Sequence, residues 1–244
     1  MVLALALSGQ CHAAEIRIAT ASNFRNAMNA LARQFEQASG HQVVPVYGST
    51  GKHFAQIING APFDAFFAAD SRRPERLEQD GLAVPGSRFT YARGRLVLWS
   101  PRADYIDDHG RILEQGNFRH LAIANPELAP YGAAARDVLD SLGLWQELSQ
   151  RLVQGENVGQ AFLFVRSGNA ELGFVAWSQL VSGEQPVEGS FWLVPENLYN
   201  PVEQQAVALT DTEATRTFMS FIRSEEATGI IRDHGYATPE SDLP

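Results

Sequence analysis

Short apolar runs typical of strands alternate with amphipathic helical runs along nearly the whole chain, and this alternation constrains the fold more than any other feature. We predict strands at residues 16–19, 43–47, 64–68, 95–99, 121–124, 172–176 and 205–209, with helical segments between most of them. Such alternation is typical of α/β folds, in which helices cover a sheet. Pro45 lacks a backbone N–H, so we expect the second strand at a sheet edge or in an irregular segment.

The first 14 residues predict a signal peptide. Residues 2–7 are a short apolar stretch, and the small residues that follow are consistent with cleavage after Ala13 or Ala14. We therefore expect a periplasmic protein; a buried N-terminal strand is the alternative. Cys11 is the only cysteine, and Gln10 before it disfavours the further alternative of a lipoprotein anchor. Once this segment is removed, no thiol remains for catalysis or for a disulfide.

The charge balance excludes some classes of partner. The formal net charge is −9, Lys52 is the only lysine, and the arginines are scattered along the chain. Because no basic stripe is present, we predict that the chain does not bind nucleic acid. An acidic protein repels anions at long range, so any anion site must depend on local donors.

Three loops rich in Ser, Thr, Asn and Gly stand between a predicted strand and a predicted helix, at residues 21–23, 48–51 and 156–159. The first N–H groups of a helix have no partner within the helix, and the helix dipole adds partial positive charge there. Hydroxyl groups supply further donors, so such loops are suited to anions. The alternative for each loop alone is an ordinary N-cap without a ligand.

The sequence does not contain the motifs expected for nucleotide hydrolysis, for a metal site or for nucleophilic catalysis. Residues 48–52 superficially resemble a phosphate-binding loop, but Val46 stands where the first glycine belongs and His53 follows Lys52. The histidines form no short metal-binding pattern, and no nucleophile elbow is present. For Asp64 and Asp70 we expect roles at a strand end and in a cap rather than in acid–base catalysis.

Seven segments in order resemble the periplasmic molybdate-binding proteins of ABC transporters, with the closest likeness to the Azotobacter-type members. These segments are residues 18–24, 48–51, 59–70, 86–92, 124–132, 157–161 and 172–176, and together they extend over essentially the whole mature chain. The resemblance implies an α/β fold of the two-lobed, type II periplasmic binding protein class. Each lobe would be a mixed sheet flanked by helices, and crossover strands would join the lobes.

The resemblance also implies a division of the chain and a set of ligand donors. We expect a signal peptide at 1–14, lobe 1 at 15–93 and 204–244, and lobe 2 at 94–203. The implied donors are Ser22, Asn23, Thr50, Tyr131 and Val158, with Ser49 and Phe63 as further candidates. Val158 and Phe63 would act through backbone N–H groups. Some members use a tyrosine at the place of Ala176, so Tyr131 is the consistent phenol here.

The function implied by the resemblance is capture of molybdate, and of tungstate, for delivery to an inner-membrane ABC permease. We expect a monomer that is not an enzyme and has no cofactor; molybdenum would be present only within the oxyanion, without a direct protein ligand. The alternatives are a binding protein for another tetrahedral oxyanion such as sulfate, an enzyme on the same fold, and a sensing domain of a regulator.

Overall fold

The computed structural model describes residues 13–181 and 187–238. Most of the predicted signal peptide, including Cys11, lies outside the described residues. Within these two ranges, no helix combines the length and the apolar character that crossing a membrane requires.

The described residues contain ten strands, nine α-helices and four short 3-10 helices. The strands are β1 (Glu15–Ala21), β2 (Gln42–Gly48), β3 (Ala65–Phe67), β4 (Phe89–Gly94), β5 (Leu96–Ser100), β6 (Leu121–Ala124), β7 (Leu152–Gly155), β8 (Leu172–Ala176), β9 (Ser190–Leu193) and β10 (Val202–Ala208). The α-helices are α1 (Arg25–Ser39), α2 (Thr50–Ile58), α3 (Arg72–Gln79), α4 (Ile112–Gln115), α5 (Pro130–Ser141), α6 (Trp145–Leu148), α7 (Val158–Arg166), α8 (Glu213–Ile222) and α9 (Glu225–Asp233). The 3-10 helices are Ser22–Phe24, Ser149–Arg151, Trp177–Gln179 and Glu196–Leu198.

The strands form two mixed sheets of five strands each. The first has the order β2-β1-β3-β10-β4 and the second the order β7-β6-β8-β5-β9. In the first sheet β2 and β3 run parallel to β1, whereas β10 runs antiparallel to both of its neighbours. In the second sheet β6 lies parallel to β7 and β8, whereas β5 lies antiparallel to β8 and β9.

The chain crosses between the sheets twice, and this architecture confirms the predicted two-lobed type II fold. Only Arg95 separates β4 of the first sheet from β5 of the second, and the chain returns between β9 and β10. The lobe boundaries at 93/94 and 203/204 stay predictions. β4 extends one residue beyond the first boundary, to Gly94, and β10 begins two residues before the second boundary, at Val202.

The predicted strands are present in the structure. β2, which contains Pro45, is an edge strand as expected. The sequence patterns did not indicate β4, β7 and β9. β4 ends in Arg93 and Gly94, and β7 and β9 have four residues each, too few to show an alternating pattern.

An aromatic cluster fills the core of the first lobe and anchors one of the predicted ligand loops. The ring of Phe24 lies 4.7 Å from that of Tyr91, and Phe67 lies 5.2 Å from Tyr91. Phe218 of α8 contacts Phe67 and Phe35 at 6.0 and 5.0 Å. Because Phe24 is fully buried, the 3-10 helix Ser22–Phe24 is held directly against this core.

We expect Phe218→Ala to lower the free energy of unfolding by about 3–5 kcal/mol, because it removes a fully buried ring and leaves a cavity. Urea unfolding followed by circular dichroism measures the change. The control is Leu163→Ala in α7, where the side chain is 59% exposed; its cost should stay within about 0.5 kcal/mol. Equal losses in both variants would contradict the placement of this core.

Candidate anion-binding site

Helix N-termini from both lobes follow the carboxyl ends of parallel strands. β1 leads into the 3-10 helix Ser22–Phe24, β2 leads through Ser49 into α2, and β7 leads into α7 shortly after Gly155. Ligands bind at this edge of open α/β sheets, because helix starts there present unpaired N–H groups.

These three helix starts meet at one small cavity. Its lining comes from both lobes and consists of Ala21, Ser22, Asn23, Gly48, Ser49, Thr50, Ala69, Ala129, Pro130, Tyr131, Asn157 and Val158. The structure thus brings together six of the seven predicted site residues. The lining contains no Asp, Glu, Lys, Arg or His, so its polar groups are hydroxyl, amide and backbone groups.

Two of the hydroxyl groups in this lining accept a hydrogen bond from a backbone N–H outside their own helix. Ser22 Oγ accepts from the N–H of Gly159 in the other lobe at 3.2 Å. Thr50 Oγ1 accepts from the N–H of Ala69 at 3.0 Å. A hydroxyl has one proton and two lone pairs, so each of these groups still has its proton to donate. Both side chains are buried, and within the described residues neither hydroxyl donates to a protein acceptor, so its proton is available to a ligand in the cavity.

The start of α2 contributes a backbone donor. Ser49 is the N-cap, and its Oγ accepts from the N–H of Lys52 at 3.3 Å. The N–H of Gly51 donates to the carbonyl oxygen of Leu128 in the other lobe at 2.8 Å. The N–H of Thr50, the first residue of the helix, has no acceptor within the helix, so it is the group left to face an anion.

The start of α7 repeats this arrangement from the second lobe. Asn157 is the N-cap, and its Oδ1 accepts from the N–H of Gln160 at 3.1 Å. The N–H of Gly159 is used by Ser22. The N–H of Val158 is the remaining first-turn donor, at a residue that is 3% exposed. Two helix dipoles therefore place their positive ends at one cavity.

Asn23 lines the cavity, but its side chain does not offer a donor to it. Its Nδ2 donates to Gln204 Oε1 and to the Tyr236 hydroxyl, both at 2.9 Å. An amide group has two N–H bonds, so both are used inside the protein. Only the backbone N–H of Asn23, within the 3-10 helix Ser22–Phe24, is left for a ligand.

Tyr131 reaches the cavity from the start of α5, and its phenol depends on a glycine. The phenol oxygen accepts from Gln204 Nε2 at 3.3 Å. A Cβ atom on Gly94 would lie 2.0 Å from this oxygen, so only glycine leaves room for it. Burial is the main cause that raises the pKa of Tyr131 well above its ordinary value. The phenol therefore keeps its proton at neutral pH.

Phe63 is the one predicted site residue that the structure does not place at this cavity. Its N–H donates to the carbonyl oxygen of Ala61 at 2.9 Å, and its ring contacts the ring of His53 edge-on at 5.8 Å. The physical reason is topological: Phe63 precedes β3, whereas the cavity lies at the carboxyl edge of the parallel strands. At that edge, beyond the end of β3, the residue that contributes is Ala69.

The charged groups next to the starts of α2 and α7 are paired, and the nearby His53 is neutral. Lys52 Nζ lies 3.0 Å from Glu156 Oε2 across the two lobes, and Asp70 pairs with Arg73. Burial is the main cause that lowers the pKa of His53, whose ring nitrogens face Gln56 and the carbonyl oxygen of Thr20. The site therefore depends on neutral donors.

Asp64 has the expected structural role. Its side chain accepts from the N–H of Arg17 at 2.8 Å and from the hydroxyl of Thr210 at 3.0 Å. Sequence reasoning did not identify Ala69, Gly94 or Gln204. These residues contact the site through partners that are distant in sequence, and no local motif indicates such contacts.

A family model described as "Bacterial extracellular solute-binding protein" matches residues 16–237. The chain belongs to this family. This solute-binding protein is 48% identical to the molybdate-binding protein of Azotobacter vinelandii, over 94% of this chain and 92% of the relative. It is 41% identical to the molybdate-binding protein of Rhodobacter capsulatus, over 98% and 94% of the two chains.

A solved structure agrees with this assignment. The periplasmic molybdate-binding protein of Azotobacter vinelandii superimposes on this solute-binding protein with a TM-score of 0.89 and 44% identity, covering 92% of this chain and 99% of that one. The resemblance that the sequence motifs indicated is therefore confirmed.

We expect the Tyr131→Phe variant to lose less stability than the wild type as the pH rises into the alkaline range. The pKa of Tyr131 in the folded protein is raised above the value of about 10 for an unfolded tyrosine. Above that pH the unfolded chain releases a proton that the folded chain retains, so stability falls as the pH rises. Removing the phenol should reduce this slope by about 1.4 kcal/mol per pH unit. Urea unfolding at several alkaline pH values measures it; an unchanged slope would contradict the burial of the phenol.

Proposed function

We propose that this solute-binding protein captures molybdate, and tungstate with it, between its two lobes in the periplasm and delivers the anion to an inner-membrane ABC permease. The observation that carries the proposal is the buried cavity at the lobe interface, whose lining offers neutral hydrogen-bond donors and no carboxylate. The names of two relatives, at 48% and 41% identity, support the same ligand.

The donor set suits a fully deprotonated tetrahedral dianion. Burying such a charge without partners would be prohibitively unfavourable. Hydrogen bonds to a charged group are worth about 1.5–3 kcal/mol each, so three hydroxyls and several backbone N–H groups offset the desolvation. A protonated oxyanion needs an acceptor for its proton, and the lining has no carboxylate to provide one. Size would then separate molybdate and tungstate from the smaller sulfate.

Hydrogen bonds between the lobes couple binding to closure. Ser22 of lobe 1 accepts from Gly159 of lobe 2, and Tyr131 of lobe 2 accepts from Gln204 of lobe 1. An anion that contacts donors from both lobes binds the closed form more tightly than the open form. It therefore shifts the population toward closure, and a permease would recognise that closed state.

In this proposal the chain acts by reversible binding as a monomer and is not an enzyme. The hydroxyls of the cavity have no general base beside them in the described residues, because His53 is engaged by Gln56 and Thr20. Molybdenum is present only within the oxyanion, and no cofactor takes part. Residues 1–14 are removed as a signal peptide during export.

Thr50→Ala and Tyr131→Phe should each weaken molybdate binding by about 10- to 100-fold, because each removes one charge-assisted hydrogen bond. Isothermal titration calorimetry gives the dissociation constants. Tyr199→Phe is the matched control: its hydroxyl accepts from the N–H of Leu96 and does not line the cavity. Its affinity should stay within about twofold of wild type. Unchanged affinity in both site variants would overturn the assignment of the cavity.

A panel of oxyanions tests the ligand. Molybdate and tungstate should raise the melting temperature strongly, because a ligand that binds only the folded state stabilises it by mass action. Sulfate should raise it less because of its size, and phosphate less because of its proton. Differential scanning fluorimetry at equal anion concentrations makes the comparison. Stabilisation by sulfate and not by molybdate would show that the chain is a binding protein for a different oxyanion.

A further inference from the structure

A buried chain of hydrogen bonds runs from Tyr236 near the C-terminus through Asn23 and Gln204 to the phenol of Tyr131. Gln204 is fully buried in β10, and both ends of its amide are engaged. The other end of the chain, the hydroxyl of Tyr236, lies near two atoms of Asn23. The orientations of the two amides in the structure set the direction in which each group donates.

Tyr236 has one hydroxyl proton, and two of its short contacts are with Asn23. Its oxygen lies 2.8 Å from the carbonyl oxygen of Asn23 and 2.9 Å from the terminus of the Asn23 side chain. The carbonyl can only accept, so it takes the Tyr236 proton. The other contact therefore needs a donor from Asn23, which places Nδ2 there rather than Oδ1.

The amide of Gln204 lies between Asn23 and Tyr131. The second N–H of Asn23 Nδ2 donates to Gln204 Oε1 at 2.9 Å. The Tyr91 hydroxyl lies 3.0 Å from the same oxygen and 3.1 Å from the carbonyl oxygen of Ala68, so its one proton is shared between two acceptors. Gln204 Nε2 is thereby left to face Tyr131. The phenol oxygen must accept from it, and the phenol proton is left for the cavity.

A bulge in the first sheet supports a specific role for this glutamine. Gln204 pairs with Ala92 and Gln205 pairs with Thr90, so Tyr91 is an extra residue in β4 at this step. Bulges beside functional sites reorient side chains. Here the extra residue is the tyrosine whose hydroxyl contacts Gln204 Oε1, and the bulge thus belongs to the same arrangement.

We propose that Gln204 is a positioning residue that holds the Tyr131 phenol as a hydrogen-bond donor toward the cavity. This inference rests on the proposed function. A phenol that rotates freely can donate to an oxyanion or accept a proton from one. With Gln204 donating to it, Tyr131 is restricted to donation, which favours fully deprotonated oxyanions over protonated ones.

A double-mutant cycle tests whether Gln204 acts through the phenol. Gln204→Met keeps the length of the side chain and removes the amide. We expect it to weaken molybdate binding by about tenfold in the wild-type background and by less than about twofold in the Tyr131→Phe background. Isothermal titration calorimetry supplies the four dissociation constants. Equal factors in the two backgrounds would show that Gln204 acts through packing alone and would overturn the proposal.

The control for disturbance of the strand is Gln205→Met, the same change at the neighbouring bulge residue. Gln205 hydrogen-bonds Thr90, Glu203 and Arg88 and does not line the cavity. Its molybdate affinity should stay within about twofold of wild type. A loss as large as that of Gln204→Met would contradict a specific role for Gln204.

The Gln204→Glu variant keeps a hydrogen-bonding side chain at this position and makes its effect on molybdate affinity depend on pH. The protonated acid donates to Tyr131 as the amide does, whereas the carboxylate accepts from it and turns the phenol proton away. The affinity relative to wild type should therefore rise as the pH falls from about 8 to about 5. Charge repulsion alone would give the same rise in the Tyr131→Phe background. A larger rise with Tyr131 present supports the proposal, and identical rises overturn it.

Failure of the proposed function gives a different pattern of results. If the wild type does not bind molybdate, the ligand assignment is wrong and the cycle is repeated with the oxyanion that stabilises the protein in the panel. If the wild type binds molybdate and Tyr131→Phe has no effect, the phenol is not a donor and the role of Gln204 is overturned. If Tyr131→Phe weakens binding but Gln204→Met lowers the affinity by the same factor in both backgrounds, only the role of Gln204 is overturned.

Discussion

The convergence of helix N-termini on one buried point is the electrostatic constraint on which the site depends. α2 and the 3-10 helix Ser22–Phe24 approach this point from the first lobe, and α7 approaches it from the second. Each start carries unpaired N–H groups and part of a positive charge. Because one of these helix starts belongs to the other lobe, the full set of donors is assembled only when the lobes are closed. Ligand capture and domain closure are therefore one equilibrium.

The neutrality of the donors has consequences for an acidic protein with a net charge of −9. A buried lysine or arginine would attract every anion, whereas neutral donors with fixed directions favour anions that accept at every oxygen. The charges close to the helix starts are paired with each other, as Lys52 is with Glu156. In the proposed function, selectivity then depends on cavity size and on the proton directions of the hydroxyls, which the surrounding hydrogen bonds influence.

Those directions depend on residues far from the cavity in sequence. Tyr236 near the C-terminus holds Asn23 in the first loop, and Asn23 holds Gln204 in the strand that returns from the second lobe. Gly94, beside the crossing point, leaves room for the phenol. Residues beside the two crossings of the chain between the lobes thus surround the Tyr131 phenol, so the geometry of the phenol and the crossing of the chain between lobes are linked.

Local patterns in the sequence determined the α/β class, the edge position of β2 and the polar loops before the helices. Periodicity, Pro45 and helix-start residues act over a few positions, so these features can be predicted without the tertiary structure. The motifs also indicated the family and most of the cavity lining. Only the tertiary structure decided that Phe63 lies away from the cavity and that the side-chain amide of Asn23 is used internally. It also decided that Gln204 faces Tyr131. The physical reason is that the direction of a hydrogen bond depends on which partners lie nearby, and these partners come from β10 and the C-terminal segment, more than 180 positions beyond Asn23.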